Sequence, residues 1–256
     1  MSKALIGYTG YVGSSLMDQT YFDSTFNSKN IEQISGKEFD LLICAGAPAV
    51  KWKANQDPDE DWQNLNRLMN NLRKVYCKKL VLISTVDVYP VPVKVNEDSK
   101  IIPEENTPYG KHRFYLEQFT KSNFSDVSIV RLPGLFGKGL KKNFIYDMIH
   151  NNCLDLQHKD SQFQFYDLKN LWRDIELSLS QDIKLINFSC EPVTASEISQ
   201  KCFGVPFNNI PHNNPAYYDM KSKYASLFNK SKEYMYTKEE VLHQIIDFIE
   251  AERVKN

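Results

Sequence analysis

The chain has 256 residues, 42% of them hydrophobic, and a formal net charge of −1. That length and apolar content suit a folded chain with a sizeable core and exclude disorder. The balance of 31 basic against 32 acidic residues argues against a protein dedicated to nucleic acid or to an anionic membrane surface. Five cysteines without a C-x-x-C pair read as reduced thiols of a cytoplasmic protein. The five histidines show no metal-ligand spacing, so no metal is expected. No apolar run reaches signal-peptide or membrane-spanning length, so a soluble chain is expected.

In chain order, Ala4–Gly7 reads as a strand and Val12–Gln19 as a helix; Ser24–Phe26 is a weaker strand candidate. Leu41–Ala45 follows as a strand, then Trp62–Tyr76 as a helix and Leu80–Ser84 as a strand. Val91–Thr107, rich in Pro, Glu, Asp and Asn, reads as an irregular excursion before a helix over Tyr109–Ser122. Ser128–Leu132 and Leu185–Phe188 read as strands, Phe144–His150 as a helix and Pro206–Pro215 as a loop. Lys238–Val254 closes the chain as an amphipathic helix, with Val241, Ile245, Ile246 and Ile249 on one face. The nearly continuous apolar strands suit burial on both faces, as in a parallel sheet. Strand–helix alternation implies right-handed βαβ units and an α/β, doubly wound fold.

The first strand runs into Gly7-Tyr8-Thr9-Gly10-Tyr11-Val12-Gly13, which opens the first helix. There Gly7 allows a tight turn, Gly10 lets backbone approach a pyrophosphate, and Gly13 lets helix and sheet pack closely. The amides of Tyr11 and Val12 then face a phosphate from a helix N-terminus. The spacing is G-x-x-G-x-x-G rather than G-x-G-x-x-G. A site for NAD usually carries an acid at the end of the second strand. That end falls at Phe26, followed by Asn27-Ser28-Lys29-Asn30, and the nearest upstream acid, Asp23, precedes it. Amide, hydroxyl and ammonium groups suit a 2′-phosphate that a carboxylate would repel, so NADP(H) is expected over NAD(H).

Further on stand Ala45-Gly46-Ala47 after the third strand, Asn64 in the next helix, Ser84-Thr85 with Tyr89, Tyr109-Gly110, and Arg131-Leu132-Pro133-Gly134-Leu135-Phe136-Gly137. With the glycine turn, these make the chain resemble the extended short-chain dehydrogenase/reductases, which include nucleotide-sugar epimerases, dehydratases and reductases. The resemblance implies a Rossmann-type core over residues 1–132, with 170–189 returning to the sheet. It also implies a small C-terminal substrate-binding part over 133–169 and 190–256. It places Thr85 and Tyr109 around a substrate carbonyl or alcohol, with Tyr109 transferring the proton. Ala45, Gly46, Ala47, Asn64, Tyr109, Arg113 and Pro133 then border the cofactor, and Tyr89, Lys141 and Asn143 the substrate.

A phenol with an ordinary pKa near 10 is a poor base at neutral pH unless a positive charge lies close. The family supplies it from a lysine four residues after the tyrosine; this chain has Arg113 there. One helical turn still brings that cation to the Tyr109 face, whereas Lys111 points elsewhere. Asp167 resembles an acid that caps a family helix. Glu191-Pro192-Val193-Thr194 and Asp219–Lys223 resemble other family landmarks. The expected activity is hydride transfer to or from a sugar carbonyl or alcohol, on a small molecule that is nucleotide-linked. Val86 after Thr85, where family dehydratases place an acid, favours reduction, although Asp87 leaves dehydration open and epimerisation needs only the same tyrosine. A homodimer through the helices at 62–76 and 109–122 is a further implication. The alternative, prompted by Arg113, is a sensor or scaffold that binds NADP without turnover.

Overall fold

A computed structural model describes residues 1–229 and 232–254. In chain order its elements are β1 (Lys3–Ile6), α1 (Tyr11–Gln19), β2 (Ser24–Phe26), β3 (Glu38–Cys44), α2 (Lys51–Gln56), α3 (Pro58–Leu72) and β4 (Tyr76–Thr85). Then come β5 (Val93–Val95), α4 (Pro108–Asn123), β6 (Val127–Leu132), β7 (Gly134–Phe136), α5 (Phe144–His150), β8 (Gln162–Phe163) and β9 (Phe165–Asp167). The last are α6 (Leu171–Ser180), β10 (Leu185–Asn187), β11 (Val193–Thr194), α7 (Ala195–Ile198), β12 (Asp219–Met220) and α8 (Lys238–Arg253). The chain divides into two units, one of residues 1–91, 99–131 and 171–186, the other of 92–98, 132–170 and 187–256.

The first unit is organised by a six-stranded sheet in the order β10-β6-β4-β3-β1-β2. Strand β1 pairs in parallel with both β2 and β3, and β3 in parallel with β4. The chain therefore steps outward from β1 to β2, then crosses back to β3 on the other side. That reversal opens a crevice at the carboxyl ends of β1 and β3, where open α/β sheets take their ligands. The strands are hydrophobic because both faces are covered: Leu5, Leu42, Ile43, Leu80, Val81 and Ile129 are fully buried.

Helix α3 begins at Pro58, four residues before the expected start. Asp57 accepts from the Glu60 amide at 3.0 Å, proline occupies the first turn, and Asp59, Glu60 and Asp61 complement the helix dipole. Residue Tyr76, expected in that helix, opens β4 instead, in register with Glu38 of β3. The polar run Tyr76-Cys77-Lys78-Lys79 hides a strand extension whose outer positions are exposed. The expected irregular segment 91–107 contains β5, whose partner β12 lies more than a hundred residues away and leaves no local trace.

Beneath β4 and β6 lies a buried ion pair. The Glu117 carboxylate accepts from Arg131 Nε at 2.9 Å, Arg131 Nη2 at 2.6 Å and Ser84 Oγ at 2.6 Å, while Arg131 Nη1 donates to the Tyr89 hydroxyl at 2.7 Å.

The second unit is built of three two-stranded pairs, β7–β9, β8–β11 and β5–β12, with α5, α7 and α8. The Glu97 carboxylate ties it together, accepting from the Asn187 amide, the Ser222 hydroxyl and the Lys223 amide. Helix α8 starts at a capping box of Thr237 and Glu240. It buries Val241, Leu242, Ile245 and Ile249; Ile246, expected on that face, is only half-buried. No helix among the described residues is long and apolar enough to cross a membrane.

Replacing Glu117 with leucine should lower stability by about 3–5 kcal/mol, because it strands a buried guanidinium. Replacing Glu117 and Arg131 together with apolar residues should cost less, a difference that urea unfolding of the two variants measures.

Candidate active site

The glycine turn follows β1. Gly7 has φ +91°, and its amide donates to the Phe26 carbonyl at 2.7 Å, joining the ends of β1 and β2. A side chain on Gly7 would overlap the Ala45 carbonyl oxygen, and one on Gly13 would lie 2.0 Å from the Gly7 oxygen. Both positions exclude any larger residue. Gly10 differs: its nearest neighbour is the Gly7 oxygen at 3.3 Å, and it precedes α1 without a side chain to cap it. The first turn of α1 carries no acid. Tyr11, Val12 and Gly13 thus bring backbone amides to the positive end of a helix over an open cradle, an arrangement that fits a dinucleotide pyrophosphate. Residues Ala45, Gly46 and Ala47 leave β3 against this turn, and a side chain on Gly46 would meet Ile6 at 2.7 Å.

At the end of β2 the four polar residues divide. Asn27 and Asn30 build the turn: the Asn27 amide donates to Asn30 Oδ1 at 2.7 Å, the Lys29 amide to Asn27 Oδ1 at 2.9 Å, and Asn30 Nδ2 to the Thr25 carbonyl at 3.2 Å. These bonds shape the turn that would face the cofactor's ribose. Ser28 and Lys29 are exposed. Asp23 lies before β2 and receives the Lys3 amide at 2.7 Å. A cation absent from the sequence reading stands here: Arg67 of α3 donates to the Ser28 carbonyl at 2.9 Å and pairs with Glu32 at 2.5 Å.

The Thr85 side chain lies close enough to the Tyr109 phenol to pull its pKa down. Strand β4 delivers Thr85, whose Oγ1 also accepts the Asp87 amide at 3.2 Å. Proline in the first turn of α4 delivers Tyr109, whose amide donates to Asn55 Oδ1 of α2 at 3.0 Å. Gly110 is required by contact, since a side chain there would sit 2.0 Å from the Asp87 carbonyl oxygen. Lys51, the first residue of α2, pairs with Asp87 at 2.7 Å.

Arg113 reaches the Tyr109 face, with Cζ 4.0 Å from the ring centroid. Its guanidinium is otherwise committed. Nη1 and Nη2 both pair with the Asp61 carboxylate, the latter at 2.8 Å, and Nη2 also donates to the Pro48 carbonyl. Its Nε is buried and meets no acceptor among the described residues. His112 contacts Asp61 from the other side at 2.8 Å. Burial pushes the Asp61 carboxyl up, but the bonds from Arg113 and His112 outweigh it and hold the group below its usual value. For Tyr109 the net direction is upward: burial dominates, Arg113 pulls down, Asp87 pushes up, and Thr85 and Lys51 pull down. Arg113 is the largest of the downward pulls, as expected of it, but burial outweighs it and leaves the phenol above its usual value. Lys111 lies over the Tyr115 ring, away from Tyr109.

Other expected positions have different work. Tyr89 is buried, and its hydroxyl accepts from Arg131. Asn64 is exposed on α3 and Pro133 is buried after β6. In the second unit Lys141 is exposed, while Asn143 caps α5, accepting from the Tyr146 amide at 3.1 Å and donating to the Leu135 carbonyl at 2.9 Å. Asp167 accepts the Lys169 amide at 2.9 Å and so fastens the short turn before α6.

A doubly wound parallel sheet, a glycine cradle at its reversal point and a Thr–Tyr pair one loop away define a dinucleotide-binding protein of the short-chain dehydrogenase/reductase type. The model of the NAD dependent epimerase/dehydratase family matches residues 20–175, more than half of the chain, and the chain belongs to that family. It is an enzyme of the NAD(P)-dependent oxidoreductase and epimerase type. No curated protein sequence matches the chain. Among solved structures, the fold is similar to dTDP-4-dehydrorhamnose reductase from Bacillus anthracis in complex with NADP, at 18% identity and TM-score 0.76 over 98% of this chain and 99% of that one. It is similar to RMD from Pseudomonas aeruginosa complexed with NADPH, at 16% identity and TM-score 0.72 over 98% and 100%. It is also similar to a variant of UDP-glucuronic acid 4-epimerase from Bacillus cereus in complex with a fluorinated UDP-glucuronic acid and NAD, at 16% and 0.73 over 98% and 99%. At these identities the likeness is one of fold.

Changing Arg113 to lysine, the usual family residue, should destabilise the protein by about 1–3 kcal/mol, because one ammonium cannot satisfy both Asp61 oxygens and the Pro48 carbonyl. A group whose pKa folding depresses contributes stability above its unfolded value, and the contribution is lost as pH falls. The gap between wild type and Arg113→Met in urea unfolding should therefore close below about pH 4.

Proposed function

We propose that the chain is an NADP(H)-dependent reductase acting on a sugar carbonyl, with the sugar carried on a nucleotide. The observation behind this reading is that Thr85, close enough to Tyr109 to pull its pKa down, lies with it in the same unit as the glycine cradle. The cradle holds the pyrophosphate through the α1 amides, and the bound nicotinamide supplies hydride. Thr85 donates to the substrate oxygen and orients it, and Tyr109 gives that oxygen its proton as charge develops. The residue directly after Thr85 is the buried Val86 rather than an acid, which favours reduction over elimination. The nucleotide-sugar class draws on what the similar proteins are named for. A homodimer through α3 and α4, where Trp62 packs on His112 and Tyr115, and a cytoplasmic site for five free thiols belong to the same reading.

The preference for NADP over NAD rests on charge at the end of β2. Lys29 and Arg67 offer cations beside Ser28, and a 2′-phosphate there competes with Glu32 for Arg67. Arg67→Ala should weaken NADPH binding roughly tenfold and leave NADH within about twofold in a fluorescence titration; an equal loss for both would remove the 2′-phosphate from the argument.

The alternative of a non-catalytic NADP-binding sensor has one observation in its favour, the commitment of Arg113 to Asp61. Tyr109→Phe decides between them. With an NADPH-oxidation assay across keto-sugar nucleotides, the variant should lose at least about a hundredfold in kcat while keeping cofactor affinity. Unchanged turnover would exclude Tyr109 as the acid.

A further inference from the structure

We propose that Asn106 is the positioning residue that sets Tyr109 against Thr85, by clamping the turn after β4 to the start of α4. The inference rests on the reading of Tyr109 as the proton donor and Thr85 as the group that orients the substrate oxygen.

The two residues come from different elements. Thr85 ends β4 and Tyr109 lies in the first turn of α4, with a long excursion of the chain between them. The start of α4 is held from outside the helix. The Thr107 side chain caps no amide of α4 among the described residues, and Pro108 has no amide of its own to anchor.

Asn106 supplies the tie. Its Nδ2 donates to the Asp87 carbonyl at 2.9 Å and to the Val88 carbonyl at 2.9 Å. Its Oδ1 accepts the Thr107 amide at 2.7 Å. Asp87 in turn donates its own amide to Thr85 Oγ1 at 3.2 Å. A continuous line of hydrogen bonds thus runs from the Thr85 hydroxyl, through Asp87 and Asn106, to the residue before Pro108. Helix α4 closes on the same point. A side chain on Gly110 would sit 2.0 Å from the Asp87 oxygen and 2.4 Å from Asn106 Nδ2. The clamp therefore fixes distance as well as direction, because the first turn of α4 touches the carbonyl that Asn106 holds.

A side-chain amide suits this place because it offers two donors and an acceptor on one plane. An ionised aspartate only accepts, and would set a charge against two carbonyl oxygens. Asn55 of α2 accepts the Tyr109 amide at 3.0 Å, and Arg113 lies 4.0 Å from the ring centroid. Those contacts hold Tyr109 itself, and Asn106 joins it to the turn that carries Thr85.

The test has a structural arm and a kinetic one. In nucleotide-free protein with labelled threonine methyls and tyrosine rings, NMR reads the Overhauser contact between the Thr85 methyl and the Tyr109 ring. Thr85→Ser and Tyr109→Phe assign it. Asn106→Ala should weaken that contact by roughly half or more. In turnover with NADPH and a keto-sugar nucleotide, Asn106→Ala should lower kcat roughly ten- to hundredfold and leave the NADPH Kd within about twofold. Added to Tyr109→Phe, it should lower kcat by no more than about twofold further, because it acts through the phenol. Asn106→Asp, which keeps the Thr107 contact and loses both donated bonds, serves the same measurements should the alanine variant not fold. An undiminished Overhauser contact in the folded variant, or a fall in kcat that persists in full beside Tyr109→Phe, overturns the proposal. Tyr109→Phe alone decides whether Tyr109 is the donor, and the Overhauser contact needs no substrate, so the two readings fail separately.

Discussion

The contact on which the site depends is the buried pair of Asp61 and Arg113. Breaking a pair of this kind commonly costs several kcal/mol, because the surviving charge is left without water or partner. Asp61 sits in the first turn of α3 and Arg113 in the second turn of α4, so the pair fixes those two helices against each other at one end. The Pro48 carbonyl joins them to the segment leaving β3. Tyr109 lies under the guanidinium, so its ring is placed by the same contact. The price is that Arg113 becomes a structural cation. Arginine suits this place because its planar fork satisfies a carboxylate and a carbonyl together, which an ammonium does with difficulty.

The crevice has a second constraint, the fit of backbone on backbone. Gly7, Gly13 and Gly110 are each forced by a carbonyl oxygen or neighbouring backbone where a side chain would go. Gly10 is not, and that difference marks the place left for a ligand. The two ends of the site thus follow one rule: the chain is packed until no side chain fits, and the remaining opening lies at a helix N-terminus. The reversal of strand order around β1 puts both ends on the same edge of the sheet.

Much of this was legible in the sequence because it is local. Apolar runs of four to six residues marked β1, β3, β4 and β6, and the glycine turn announced its own cradle by standing between a strand and a helix. The pairing of Thr85 with Tyr109 came from the family resemblance. What escaped was tertiary. Asp61 reads as an ordinary first-turn acid, and nothing local tells that it meets Arg113 fifty-two residues on. Helix α2 is six residues long with one buried position, too short to show a period, so Lys51 and Asn55 passed as loop. The helix start at Asp57-Pro58 was readable from its cap and proline alone, and reading it would have drawn notice to Asp61. Asn27, Asn30 and Asn143 show another side of this: their side chains serve the turns that hold them, a habit of asparagine that composition cannot separate from ligand binding.

The two ion pairs beside Tyr109 differ in what they can do. Each brings one cation and one carboxylate, so both are neutral as units, and neither makes the phenol acidic by net charge. Their surroundings separate them. Around the Arg113–Asp61 pair there is almost no solvent, the effective dielectric is low, and the partners cannot part without a large penalty. Around Lys51 and Asp87 water competes, and a pair of this exposure is worth about 1 kcal/mol or less. A weak pair is a poor brace. The buried pair therefore holds α3 against α4 and places the Tyr109 ring, and the exposed pair adds little to that hold.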